Sequence, residues 1–155
     1  MTKVGSVLST LDAEAAVRRV MVAYMAACDA HDADAVAELF HPDAVFVSLS
    51  SDTPPTHGRE AVRADYAVAC ARLSFCAHYL TDERIEIDGD TARAQWAYLE
   101  PATVRHTTQM WTAGRYDHVL TRRDGVWKFA QFRIGAVLGA PYEGGWVPEH
   151  RVEVD

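Results

Sequence analysis

The chain has no long apolar run: the longest, Val20 to Cys28, is nine residues, well short of the ~20 a membrane-spanning helix needs. Met1 to Thr10 holds no apolar core of the kind a secretory leader carries. Positive charge is not in excess, and a net charge of −7 argues against nucleic acid or an anionic membrane surface as partner. The charges are scattered without a block of one sign, as on ordinary solvated faces. There is no glycine-rich phosphate loop and no G-x-S-x-G turn, so phosphate-cradling and serine-hydrolase chemistry find no support. Cysteines number only three, Cys28, Cys70 and Cys76. An odd set without ligand spacing points to free thiols in a reducing cytoplasm rather than to disulfides or a metal. His106 and His118 lie in neighbouring strand regions but form no His-x-His or carboxylate pairing, so no metal and no cofactor are expected.

What is present suits one domain. About half of the 155 residues are apolar (49%), enough to bury a core. No repeat, low-complexity tract or linker divides residues 1–155. The pattern predicts three helices and then a meander of strands. Helix one is expected from about Asp12 to Ala30, capped by Thr10 or Asp12, with Val17, Val20, Met21, Tyr24 and Cys28 as its apolar stripe. Asp32 reads as the cap of a short second helix carrying Val36, Leu39 and Phe40, ended by His41 and Pro42. A strand over Ala44 to Leu49 and a loop over Ser50 to His57 follow, and Gly58 then opens a third helix with Val62, Tyr66, Ala69 and Leu73 at helical spacing.

Strands are expected over Phe75 to Ile87, Ala92 to Glu100, Thr107 to Arg122 and Val126 to Val137. Asp88-Gly89-Asp90 and Asp124-Gly125 supply turns, and Pro101 is an interruption. The Phe75–Ile87 run changes parity between Leu80 and Ile85, which a bulge or bend would reconcile. Helices followed by strands mean α+β. The expected form is a cone-shaped barrel of bent antiparallel or mixed sheet, with three N-terminal helices enclosing one apolar pocket.

Asp29 ends the first helical stretch, four residues after Met25 and seven after Val22. That spacing sets its carboxylate on or beside the buried face, where a partner is needed. His78 lies in the apolar run Phe75 to Leu80. A half-buried Asp and a half-buried His are the parts of a general-base dyad. A solvated helix-end Asp and a core His bonded to a backbone carbonyl would account for the same spacing.

Several strings resemble the nuclear-transport-factor-2-like superfamily, in particular its SnoaL-like branch, which contains scytalone dehydratase and hexachlorocyclohexane dehydrochlorinase. They are Cys28-Asp29-Ala30-His31-Asp32-Ala33-Asp34, Phe40-His41-Pro42-Asp43-Ala44, His78, and Arg123-Asp124-Gly125-Val126-Trp127-Lys128-Phe129. The likeness spans about residues 12 to 134. It implies that Asp29 and His78 form a catalytic dyad with His78 as base. It also implies a homo-oligomer, a trimer before a dimer. The chain departs from scytalone dehydratase at Cys28, Ser48, Gln95 and Tyr116, where that enzyme carries other polar groups, whereas Phe46 matches an aromatic residue of the dehydrochlorinase. These departures imply a different substrate.

Around the dyad, candidate substrate contacts are Tyr24, Phe46, Trp96, Tyr98, Trp111, Tyr116 and Arg133. Tyr24 reads either as a hydrogen-bond donor to substrate or as packed core, and Arg133 either as an anion stabiliser or as a solvent-facing cation. Cys28 is a poor nucleophile beside a carboxylate, and His31, His41, His57 and His150 read as surface or loop residues. The segment 139–155, with Tyr142, Trp146 and Pro148, is too aromatic for a free tail and is expected to close the pocket or an interface. The function expected is a cofactor-independent, dehydratase-type lyase acting on a small hydrophobic, cyclic substrate. A polyketide-cyclase-like or ketosteroid-isomerase-like enzyme and a non-catalytic ligand-binding module are the rivals.

Overall fold

The long first helix positions everything that follows. In the computed structural model, which describes residues 3–144, α1 runs Lys3–Asp29, starting well before Asp12, so neither Thr10 nor Asp12 caps it. Its buried stripe is Ala13, Val17, Met21, Tyr24 and Cys28, the i, i+3/i+4 face of a core-packed helix. Met25 is buried but Val22 is exposed, so only the Met25 half of the spacing argument for Asp29 holds. α1 closes with paired bonds from His31 N–H to Cys28 C=O and from Asp32 N–H to Ala27 C=O. His31 adopts φ +56° between them, the left-handed cap that ends a helix sharply. Asp32 then caps α2 (Ala33–Glu38), its side chain accepting the Ala35 N–H at 2.9 Å.

β1 (Phe40–Ser48) begins four residues before the expected Ala44, because Phe40 packs fully buried and pairs with β7. His41 and Pro42 therefore start a strand rather than merely end a helix, and His41 is buried with Nε2 3.0 Å from Thr121 C=O. A short β2 (Thr56–His57) lies within the expected loop, and α3 (Arg59–Arg72) starts from Gly58 at φ +87°. β3 (Leu73–Cys76), β4 (Tyr79–Asp88), β5 (Thr91–Val104), β6 (Thr108–Arg123) and β7 (Val126–Pro141) complete one seven-stranded sheet. Its order is β2-β1-β7-β6-β5-β3, with β4 also on β5. The β1–β7 pair is parallel and the others antiparallel. The sheet is a curled half-barrel with the helices laid against it, an α+β cone.

Two breaks matter for the site. The expected strand Phe75–Ile87 is split: Ala77 and His78 stand between β3 and β4, and the register slips again between Thr81 and Arg84, where Asp82 has φ +53°. That slip is the bend the parity change required. Pro101 does not interrupt β5, which continues to Val104. On the side of β5 that faces β3 and β4, register jumps from Ala102↔Cys76 to Leu99↔Tyr79. The missing N–H of Pro101 thus falls opposite a gap, where a strand tolerates proline, and its carbonyl accepts the Ala77 N–H.

Asp124 and Gly125 both have positive φ (51° and 79°), the tight two-residue hairpin expected from Asp-Gly. Gly114 is required where β6 meets β7: a Cβ there would lie 2.1 Å from Gly135 O and 2.7 Å from the Tyr98 ring. Among the described residues, no helix is long and apolar enough to cross a membrane. β7 runs on to Pro141, and Tyr142–Gly144 form a short 3-10 turn. Tyr142 is exposed and stacks on Trp111 at 6.2 Å. Trp146, Pro148 and His150 lie outside the described residues.

Candidate functional site

Asp29 is the last residue of α1, where the helix dipole disfavours a carboxylate. Donors from the β3–β4 break compensate. Nδ1 of His78 lies 2.7 Å from Asp29 Oδ1, and the His78 backbone N–H points at both carboxylate oxygens, at 3.2 and 3.3 Å. Because His78 stands outside both strands, its amide is free of the ladder and available to Asp29. The carboxylate thus fixes the imidazole through ring and backbone together, and a proton on Nδ1 leaves Nε2 as the lone-pair nitrogen. The His78 side chain is 8% exposed and that of Asp29 34%.

His78 lines a cavity of about 320 Å³ and Asp29 stands behind it, at the small end of the range for ligand pockets. Tyr24, Phe46, Tyr66 and Tyr116 form much of its wall, with Ala69, Leu73 and Ile134. The Tyr24 and Tyr66 hydroxyls are 2.5 Å apart, and burial pushes both phenols well up, so they stay protonated donors. Cys28, Cys70 and Cys76 also line it. Burial, with smaller help from nearby carboxylates, raises all three thiols, that of Cys76 to about 12. None is a thiolate nucleophile near neutral pH.

The second carboxyl of the site is Glu100, on β5 between Leu99 and Pro101 and so opposite the β3–β4 gap. Its Oε1 is 3.7 Å from His78 Nε2 and its side chain is 16% exposed. Burial raises its pKa, against a smaller opposing pull from His78. Among the described residues, no arginine or lysine lines the cavity. Asp29, Cys76 and His78 bring their donor atoms within 4.8 Å of one another, the one group of potential metal ligands among the described residues. To bind an ion, His78 would have to exchange its Asp29 bond, and Cys76 would have to lose a proton it holds to about pH 12.

The structure brings Asp29, His78, Tyr24, Phe46 and Tyr116 together. It does not place the other candidates in the cavity. Trp96 is buried beneath α1 with Nε1 toward Glu83 at 3.3 Å. Tyr98 packs on Gly114 and Tyr116. Trp111 lies against Tyr142. Arg133, with a side chain 40% exposed, pairs with Asp117 at 3.4 Å on the outer surface. Sequence reading missed Glu100 and Tyr66 as site residues, although each left a signal. Glu100 shares the parity of buried Trp96 and Tyr98, and Tyr66 sits on the apolar stripe of α3.

Residues 9–133 match the family model described as a SnoaL-like domain. Among solved structures, a candidate aromatic ring hydroxylase from Novosphingobium aromaticivorans is 26% identical, with TM-score 0.78, covering 84% of this chain and 94% of that one. A candidate scytalone dehydratase from the same organism is 18% identical, with TM-score 0.79 and coverages of 86% and 89%. The type 3 hexachlorocyclohexane dehydrochlorinase of Novosphingobium barchaimii is 23% identical, with TM-score 0.79 and coverages of 91% and 98%. The latter two similarities speak for the fold alone. A comparison with curated proteins finds no match.

Proposed function

The chain belongs to the SnoaL-like domain family, and on that premise we propose that it is a lyase catalysing a dehydratase-type elimination, with His78 as general base. The observation that carries this is the Asp29–His78 bond of 2.7 Å, which turns Nε2 of a nearly enclosed imidazole toward an apolar cavity. His78 takes the proton from a carbon made acidic by a neighbouring carbonyl or leaving group. Asp29 holds the tautomer and stabilises the imidazolium that forms. A dehydratase and a dehydrochlorinase among the similar structures both name eliminations.

The cavity favours one class of substrate. About 320 Å³ suits one or two fused rings, and Phe46, Tyr66 and Tyr116 offer flat faces for them. With Glu100 and Asp65 on the wall and no cation among the described lining residues, an anionic substrate would enter unpaired, which favours a neutral one. Isomerisation or cyclisation would use the same first proton abstraction and is distinguished by its product.

The test is turnover of neutral cyclic ketones carrying a β-hydroxyl or β-chloride, followed by mass spectrometry. Loss of water or hydrogen chloride, slowed roughly 10²–10⁴-fold in His78→Ala, is the expected result. Equal turnover by a folded His78→Ala would contradict it, and binding without turnover would favour the non-catalytic module.

A further inference from the structure

We propose that Glu100 is the proton donor of this site, placed across the β3–β4 gap from His78 so that one face of a bound ring meets a base and an acid together. The proposal rests on the elimination chemistry assigned above to His78 and adds to it the group that lets a poor leaving oxygen depart.

The backbone makes the placement. Glu100 follows Leu99, which pairs with Tyr79, and precedes Ala102, which pairs with Cys76. It therefore stands level with the two residues that belong to neither strand, one of which is His78. The separation of 3.7 Å between Oε1 and Nε2 exceeds hydrogen-bond length. An acid locked onto the base would neutralise it, whereas here both heads stay free for a substrate.

The two carboxyls flanking His78 have opposite surroundings. Asp29 is one-third exposed and takes the ring and backbone N–H groups of His78. Glu100 is more buried and accepts no hydrogen bond among the described residues. The titratable groups facing it are Asp29, His78, Cys76, Tyr66, Tyr98 and Tyr116, so His78 is its one potential cationic neighbour among the described residues. Burial, opposed by His78 and helped by the Asp29 charge, favours its neutral form. Carboxyls driven apart in this way divide the ionised and the acidic roles between them.

The step balances without an outside reactant. His78 Nε2 takes a proton from carbon, and the C–H pair becomes the new π bond. The bond to the leaving oxygen breaks toward oxygen, and the Glu100 proton moves onto it. His78 is left as imidazolium and Glu100 as carboxylate, and proton return from one to the other, directly or through water, resets the site.

Two benzisoxazoles test the assignment, because a base removes their C3 proton as the N–O bond breaks toward a phenolate. In 5-nitro-1,2-benzisoxazole the phenolate departs without a proton, whereas in the unsubstituted ring it leaves as a much stronger base. His78→Ala should slow both by about 10²-fold or more. Glu100→Gln keeps the size but cannot give up a proton. It should cost within about 3-fold on the nitro compound and about 10²-fold on the parent ring. Equal losses on both probes, or none on either, would overturn the proposal and leave the base intact. If His78→Ala changes neither rate, or the wild type turns over neither probe, the elimination reading is what fails.

Carbon-13 titration of the Glu100 carboxyl, assigned through bonds in the wild-type protein, decides the acid independently of any rate. A carboxyl that keeps a protonated fraction at the pH of the rate measurements supports the proposal, and one fully ionised there overturns it.

Discussion

Two histidines, His78 and His118, sit among aromatic side chains, yet only one has a carboxylate on its ring and a cavity in front of it. His78 has a carboxylate bonded to one ring nitrogen and a carboxyl within 3.7 Å of the other, and it opens on a cavity. His118 is fully buried on β6, stacked on Phe132 at 4.1 Å and packed against Tyr116, Phe129 and Trp96. Neither of its ring nitrogens has a hydrogen-bond partner among the described residues. Burial pushes its pKa down to about 3, against a smaller upward pull from the Asp117 backbone, so it stays a neutral ring in the core. The comparison teaches that an imidazole becomes a base through what holds its second nitrogen. A hydrophobic setting by itself only suppresses its charge.

The comparison is most sharply drawn by rates. With the benzisoxazole probes, His78→Ala should lower kcat roughly 10²–10⁴-fold, whereas His118→Phe should leave kcat within about 3-fold of wild type, since His118 lines no part of the cavity and a ring of similar shape preserves the packing. Comparable losses in the two would erase the distinction.

Acid stability reverses the ranking. At pH above 6.5 His118 is neutral in both the folded and the unfolded chain. As pH falls from 6.5 toward 3, the unfolded chain takes up a proton that the buried ring refuses, so stability is lost at up to about 1.4 kcal/mol per pH unit. Denaturant titrations across that window should show the slope in wild type and a shallower one in His118→Phe. The substitution should also be neutral or stabilising at pH 7, since it removes two unpartnered buried nitrogens. An unchanged acid slope would mean that His118 is hydrated or paired in solution.

A smaller effect is expected from Asp29→Asn, about 10²-fold in kcat with KM nearly unchanged, because the orientation and charge it supplies act mainly in the transition state. The double variant with His78→Ala should be little slower than His78→Ala alone. A fully additive double variant would show that the two residues do not work as a unit.

The smallest effect concerns Glu100. Its folded-state pKa is raised above 4.5, so the folded chain binds its proton more tightly than the unfolded one. Stability from this group is full below 4.5 and is lost as pH rises through the raised value. Glu100→Gln should therefore gain thermal stability relative to wild type as pH climbs from 4 to 7, read by melting scans. A constant difference between the two proteins would contradict the burial of Glu100.

Much of this was legible before folding, because helix stripes, the parity change before Ile85 and the Asp124-Gly125 turn are local signals. The Asp29–His78 pair was legible in part, since Met25 spacing and an isolated histidine in an apolar run narrowed the choice. His78 was expected within a strand and stands between two, because a run of strand-forming residues does not reveal which amide leaves the ladder. Glu100 was hidden for the same reason: its importance comes from the gap across from it, a long-range pairing that no local pattern carries. Residue type and strand parity admit Trp96, Tyr98, Trp111 and Arg133 as pocket residues. Strand parity assigns a face, but the curl of the sheet decides which part of that face meets the cavity. His41 and His118 look like turn and strand polar residues in sequence, and only register with their neighbours buries them.

In the proposed dyad, Asp29 holds His78 with its proton on Nδ1 and its lone pair on Nε2 toward the cavity. Nitrogen-15 spectra of the His78 ring, recorded with the imidazole neutral, report this directly without any substrate. The account expects a protonated, hydrogen-bonded Nδ1 and an unprotonated Nε2 in wild type, with that preference weakened in Asp29→Asn. A neutral ring protonated on Nε2, or a tautomer indifferent to the Asp29 substitution, would contradict it.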